Sequence, residues 1–373
     1  MKRFWGAALA LTIILTSLPT AKAVGTSASS AILMEAGSGR VLYEQNAHEP
    51  RPIASITKLM TALVALESGH DLREEVAILP EWAGAEGSSI YLRPGEKVSL
   101  ETLIYGMLLR SGNDAALAVA GCCGGTVEDF VARMNEKARE LGMKDSSFAN
   151  PNGLNAGDHY STAYDMALLA RACLKNATLV KMVSTKSITL GTRVFTNHNK
   201  LLWRYEGCIG MKTGYTEKAG RTLVSAAERD GMTLICVTLN DPNDWADHAA
   251  LFDYGFSNYR AEQAIQAGET LCRVPTLGSI IPFCAVKAGE NLSLCLTGEE
   301  EVRREIRLGR EVLEGPLPAG TPVGEMVCFL GEQEVGRVPL VTGEAVTADW
   351  AEGLDLLDRL KERLAELSCC VLT

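Results

Sequence analysis

A helical period that opens on a serine and holds a lysine inside it constrains this chain most. In "RPIASITKLM", residues 51 to 60, the apolar positions that begin at Ile56 and continue through Leu59, Met60, Leu63, Val64 and Leu66 recur at three and four. That is the period of a buried helix. Ser55 suits the N-terminal cap region of such a helix, and Lys58 falls one turn later on the same face. A hydroxyl and an amine are thus aimed at one spot. Serine is a poor nucleophile until a nearby base takes its proton. A lysine can be that base if desolvation or a second cation keeps it neutral, and the helix N-terminus favours negative charge on the serine side. The sequence should then supply another cation. Alone, a Ser-x-x-Lys spacing recurs by chance in many helices.

Two further motifs add weight. The stretch "EKVSLETLIYGMLLRSGNDAALAVA" reads as a capped helix from about Ser99 to Leu109, then Ser111-Gly112-Asn113, then an apolar helix from Asp114. An ordinary turn also uses Ser, Gly and Asn. In a catalytic reading, Ser111 relays protons towards a leaving amine, and Asn113 holds Lys58 or a substrate amide. In "GCIGMKTGYTEKAGRTLVSAA", Lys212-Thr213-Gly214 precedes a second strand-like run, Arg221 to Ala226, which predicts a hairpin at a sheet edge. Gly214 fits close approach by a substrate laid along that edge. Lys212 is the candidate second cation, and Thr213 offers a hydroxyl to an anionic group.

The ordered set SxxK, SxN and KTG is the specific signal, and it marks penicillin-binding proteins and class A β-lactamases. The stretches "ASITKLMTALVALESG", "LLRSGNDAALAVA", "FVARMNEKARELGMKDSSFANPNGLNAGDHYSTAYDMALLAR" and "NHNKLLWRYEGCIGMKTGYTEKAGRTLVSAA" extend it over roughly residues 28 to 256. Across them the chain resembles the low-molecular-mass penicillin-binding proteins that are serine D-alanyl-D-alanine carboxypeptidases. The resemblance implies an α/β (α+β) fold: a β-lactamase/DD-peptidase-like antiparallel sheet flanked by helices, followed by a small all-β domain. It also implies that Ser55 attacks the carbonyl between the two terminal D-alanines of a peptidoglycan stem peptide while Lys58 takes its proton. The backbone N–H groups of Ser55 and Tyr215 would hold the oxyanion, and Thr213, Ser111 and Lys212 would meet the substrate carboxylate. β-Lactams, which mimic the dipeptide, should acylate Ser55. One departure stands out: the family often has an arginine shortly before an aromatic after the KTG strand, whereas "NDPNDWADH" offers Asp244 before Trp245. Carboxylate recognition must then rest on Thr213, Ser111 and Lys212, or on Arg221.

Two alternatives stay open. A β-lactamase of class A uses a glutamate in an ExxLN-type loop, yet "NPNGLN" has proline where it would fall. A non-catalytic penicillin-binding cell-wall protein with a vestigial site is disfavoured by intact Ser55, Lys58, Ser111, Asn113 and Lys212. No cofactor or metal is expected, because the five histidines show no HExxH or ligand spacing. His159 reads as a structural loop residue, and "GCCGG" at 121 to 125 as a turn ahead of a Thr126-capped helix.

Outside the motifs, Lys2 and Arg3 precede an apolar run from Phe4 to Leu18 and then Ala21-Lys22-Ala23. This is the pattern of a secretory signal peptide cleaved after Ala23, so the protein is expected outside the cytoplasm. Its removal would take the formal net charge from -10 to -13, which disfavours nucleic acid as a partner. The expected organisation is signal peptide 1–23, catalytic domain 24–258, β-rich domain 259–348 with a hairpin about Gly331 to Gln333, and an amphipathic C-terminal helix 349–373. That last segment has Leu354, Leu357, Leu360, Leu364 and Leu367 on one face but six acids against three bases, which leaves peripheral membrane contact open against packing on the β domain or self-association. The eleven cysteines are odd in number, so they cannot form a complete disulfide framework.

Overall fold

The computed structural model describes residues 24–349. The expected signal segment 1–23, the leucine stripe from Leu354 and the Cys369-Cys370 pair lie outside the described residues. Strands β1 (Ser30–Glu35) and β2 (Val41–Gln45) form the first hairpin. A 3-10 turn, Ala54–Thr57, leads into α1 (Lys58–Glu67). The ladder of β3 (Glu75–Ala77) and β4 (Lys97–Ser99) precedes α2 (Leu100–Leu109), α3 (Asn113–Gly124) and α4 (Val127–Glu140). Then come α5 (Ala163–Lys175), α6 (Ala177–Ser184), the hairpin β5 (Ser187–Leu190) with β6 (Arg193–Thr196), and the single turn α7 (Leu201–Arg204). Strands β7 (Cys208–Thr216), β8 (Gly220–Arg229) and β9 (Met232–Leu239) follow, then α8 (Asp244–Asn258).

Five strands make one antiparallel sheet in the order β2-β1-β9-β8-β7, which leaves β7 at an edge. Alternate residues feed two cores, as the period of a strand requires. Ile32, Met34, Val224, Ala226, Ile235 and Val237 pack towards the helices α1 to α6, while Leu33, Leu223, Leu234 and Cys236 pack with Leu251 and Phe252 of α8. Burying a side chain such as Phe252 is worth about 1.5–3 kcal/mol. Gly255 keeps α8 close, since a Cβ there would lie 2.5 Å from Leu234 Cδ1. Where the sequence predicts caps they form: Ser99 Oγ accepts from Thr102 N at 3.2 Å and Thr126 Oγ1 from Asp129 N at 3.0 Å. Among the described residues no single helix is long and apolar enough to cross a membrane.

Two expectations need correction. Ser55 does not cap the helix: it sits inside the 3-10 turn, and α1 begins at Lys58 with no side-chain cap. The apolar pattern at Ile56 and Leu59 is satisfied equally by this tighter turn, so periodicity could not separate the two. The "GCCGG" stretch is mostly helix as well. Its first four residues close α3, because Gly121 and Gly124 pack against Trp82 and Phe130 where any Cβ would collide, and only Gly125, at φ 84°, breaks the chain.

After Tyr259 the chain turns to strands: β10 (Arg260–Ile265), β11 (Thr270–Leu277), β12 (Phe283–Ala288), β13 (Leu292–Leu296), β14 (Val302–Leu308), β15 (Leu313–Glu314), β16 (Pro322–Leu330) and β17 (Gln333–Thr342). Six of these form a sheet in the order β14-β16-β17-β12-β11-β15, and β10 pairs with β13. The tip of the β16–β17 hairpin is Gly331-Glu332, as Leu330 pairs with Gln333. A separate core of Ile265, Val274, Val286, Leu294, Met326 and Leu340 holds this part together. Arg40 fastens it to the first part, donating to Glu300 at 2.6 and 2.8 Å and to Cys295 O at 2.6 Å.

Candidate active site

The 3-10 turn presents Ser55 because three neighbours fix its backbone. Thr222 Oγ1 of β8 donates to Ile53 O at 2.9 Å. Thr57 Oγ1 donates to Ala54 O at 2.8 Å and accepts from His159 Nε2 at 2.8 Å. His159 Nδ1 in turn accepts from Ala149 N at 3.1 Å, which fixes the tautomer. Burial pulls the His159 pKa down to about 4, so the ring stays neutral and structural. Ala54 itself adopts φ 49°, an unusual conformation for a residue with a Cβ, and Gly153 packs against its carbonyl where no Cβ would fit.

Lys58 reaches back from the first turn of α1. Its Nζ lies 2.8 Å from Ser55 Oγ, 2.7 Å from Asn113 Oδ1 and 2.5 Å from Asn152 O. Asn113 opens α3 and is held in turn, its Nδ2 donating to Glu86 O at 2.5 Å. Lys58 is fully buried. Burial holds its pKa well below the ordinary lysine value, the Lys212 charge adds to the lowering, and Asp114 works the other way. Asp114 is committed elsewhere, accepting from Ile90 N and Leu92 N, each at 3.0 Å. Lys212 on β7 is itself buried, which brings its pKa to about 7, and its Nζ donates to Thr213 O at 2.7 Å.

Ser55, Ser111, Thr213, Gly214 and Tyr215 line one cleft of about 330 Å³ together with Ser88, His198, Lys200, Arg221, Asp244 and Trp245. Ser111 adopts φ 61° in the connection between α2 and α3. Gly214 lies so close to the serine turn that a Cβ would be 2.9 Å from Ser55 N. Tyr215 stands out at the rim, 66% exposed. Asp244 opens α8 and is paired: Arg221 donates to it through Nε at 3.0 Å and Nη2 at 2.8 Å, with the guanidinium over the Trp245 ring. Arg221 therefore lines the cleft with its charge partly answered.

Sequence reasoning alone missed several residues of the site. Asn152 enters through its carbonyl, which has no residue-type signature, although the Asn-Gly pair in "NPNGLN" marks the tight turn that aims it. Thr222 and Ser88 carry no motif. His198 lines the cleft beside Lys200, and burial, Lys212 and Arg110 bring its pKa to about 4.

Comparison with known proteins agrees with this geometry. Residues 18–243 match the family model described as D-alanyl-D-alanine carboxypeptidase, peptidase family S11, and residues 259–348 match the penicillin-binding protein 5 C-terminal domain. The D-alanyl-D-alanine carboxypeptidase DacF of Bacillus subtilis is 32% identical over 368 residues, covering 92% of this chain and 94% of its own length. The crystal structure of penicillin binding protein 5 from Haemophilus influenzae aligns with a TM-score of 0.76 at 28% identity, over 87% of this chain and 98% of that one. A Streptococcus pneumoniae peptidoglycan synthesis regulatory factor (PBP3) aligns with a TM-score of 0.77 at 26% identity, over 86% of this chain and 100% of that one. A serine one hydrogen bond from a lysine whose amine burial holds below its ordinary pKa, beside an edge strand carrying Lys-Thr-Gly, thus sits on a matching fold and sequence: the chain belongs to the D-alanyl-D-alanine carboxypeptidase family, peptidase S11, with the C-terminal domain of penicillin-binding protein 5.

Proposed function

We propose that this protein is a serine D-alanyl-D-alanine carboxypeptidase that works outside the cytoplasm and trims the terminal D-alanine from peptidoglycan stem peptides. The hydrogen bonding of Lys58 carries the reading. Lys58 Nζ lies within hydrogen-bond reach of Ser55 Oγ, Asn113 Oδ1 and Asn152 O; as a neutral amine with two N–H donors and one lone pair it would give its donors to the two carbonyl oxygens and turn the lone pair to the Ser55 hydroxyl. Burial and the Lys212 charge favour that neutral form. An amine so oriented is a general base aimed at one proton.

In the proposed reaction Ser55 Oγ attacks the carbonyl between the two D-alanines and its proton passes to Lys58. The N–H groups of Ser55 and Tyr215 donate to the oxyanion, where such donors are worth about 10²–10³ in rate each. The C–N bond then breaks, and the proton returns through Ser111 to the leaving D-alanine amine. Water attacks the ester, Lys58 takes a proton from it, and Ser55 is regenerated. Lys212, Thr213 and Ser111 meet the terminal carboxylate, with Arg221 as a further cation. Asn113 positions Lys58. Pro151 stands where a class A β-lactamase has the glutamate that activates deacylating water, and the groups bonded to Lys58 include no carboxylate. β-Lactams should therefore acylate Ser55 and remain attached.

The test is D-alanine release from diacetyl-lysyl-D-alanyl-D-alanine by the protein and a Ser55→Ala variant, with penicillin hydrolysis followed in parallel. Release that disappears in the variant supports the carboxypeptidase. Rapid penicillin turnover would make it a β-lactamase, and labelling without release a binding protein. We further assign residues 24–258 to catalysis and 259–348 to the β-rich domain. Peripheral membrane contact through the Leu354–Leu367 stripe is tested by deleting residues 349–373 and fractionating cells: an unchanged membrane share rules it out.

A further inference from the structure

We propose that His70, Glu74 and Cys122 form a binding site for a zinc-class divalent cation that ties together the C-terminal ends of α1 and α3. One ligand atom from each of the three lies within 4.8 Å of the others. His70 and Glu74 belong to the loop that leaves α1, where His70 Nδ1 and Glu74 Oε2 are 2.7 Å apart. Cys122 comes from the last turn of α3 and is partly exposed. The other charges of that loop are engaged: Glu67 pairs with Lys137 at 2.8 Å and Asp71 with Arg73 at 3.0 Å. Arg133 on α4 is anchored on Cys123 O at 2.9 Å.

The donor set selects the ion class. A thiolate, an imidazole and a carboxylate are the ligands zinc uses, and three protein ligands leave a fourth position for water. A hard cation such as calcium or magnesium would take oxygen ligands instead. Binding is balanced with His70 as a neutral imidazole: it ligates through Nδ1 with its proton carried on Nε2, Glu74 binds as carboxylate, and Cys122 binds as thiolate after its thiol proton has gone to solvent. With both ligands ionised, the thiolate and carboxylate together neutralise the divalent charge. His70 and Glu74 sit in a loop and can open to metal–ligand spacing without disturbing a helix.

Placement gives the site its consequence. The first turns of α1 and α3 carry Lys58 and Asn113, joined at 2.7 Å. The ten residues of α1 put the opposite end about 15 Å away. A cation there would close the far end of the same helix pair, as a clamp remote from the reacting atoms.

The experiment titrates the reduced, metal-free protein with Co²⁺, whose sulfur-to-cobalt charge-transfer absorption reports a thiolate ligand. Expected is one Co²⁺ per chain, displaced by one equivalent of Zn²⁺, and a Tm that rises with zinc concentration. Cys122→Ser should abolish the absorption, and His70→Ala should weaken Co²⁺ binding and flatten the zinc dependence of Tm, while both variants still react with penicillin as folded proteins. Absence of the band in the unmodified protein, or its persistence in Cys122→Ser, would overturn the site.

Discussion

Replacing Gly214 by alanine should disable acylation while leaving a folded protein. The added Cβ would press into Thr222 Oγ1 and lie 2.9 Å from Ser55 N and 3.1 Å from Ile56 N. Thr222 can turn, but the other two neighbours are backbone. Restoring an ordinary 3.4 Å contact requires β7 to move from the serine turn by about 0.5 Å. Since a 1 Å misplacement can cost about 10²-fold, half of that costs roughly tenfold, or about 1.4 kcal/mol of barrier. The methyl also crowds the Ser55 N–H that is proposed to receive the oxyanion, and losing one such donor costs about 10²–10³. Together they predict a fall of about 10²-fold or more in the second-order rate of penicillin acylation, with an overpacking cost of about 1–3 kcal/mol in stability. Labelling rates with fluorescent penicillin beside a thermal melt separate the two effects. A folded Gly214→Ala protein that acylates at the unmodified rate would refute the reasoning. So would full recovery in Gly214→Ala/Thr222→Ala, because that change removes only the flexible obstacle.

Further expectations concern the two lysines and the arginine. Lys58→Met should lower acylation by about 10²–10⁴-fold, the usual worth of a general base, without lowering the Tm, since it also removes a buried amine; a large loss of Tm would show that Lys58 is chiefly structural. Lys212, at about 7 in the folded chain against about 10.4 unfolded, binds fewer protons folded than unfolded between those values, so stability should rise with pH across that window. Lys212→Met should lack that rise, and parallel curves for the two proteins in urea melts from pH 7 to 10 would contradict the assignment. Asp244→Asn should free Arg221 from its 2.8 Å partner and lower KM for the peptide severalfold with kcat little changed. Arg221→Ala should raise KM instead; no effect of either change would remove Arg221 from carboxylate recognition.

The parts of the molecule that local chemistry determines were legible in the sequence. The Ser99 and Thr126 caps, the β7–β8 hairpin and the β16–β17 turn all follow from short-range period and turn residues. What stayed hidden depends on long-range assembly. Nothing near Met34 announces that β1 pairs with β9, more than 190 positions on. The Asn152 carbonyl is a backbone atom and carries no residue preference. Ser55 sits in a 3-10 turn where a helix cap was expected, because both conformations bury Ile56 and Leu59. The meeting of Arg221 with Asp244 was equally unreadable, since each belongs to a different element. His70, Glu74 and Cys122 show no ligand spacing along the chain; only the packing of α1 beside α3 brings them together.

The most direct measurement is the mass of the protein after a brief exposure to benzylpenicillin, with the adduct located by peptide mapping. The expected result is one penicilloyl group per chain on the peptide that contains Ser55, and none on Ser55→Ala. An adduct on Ser111 or another residue, or no adduct on a folded protein, would contradict Ser55 as the nucleophile activated by Lys58.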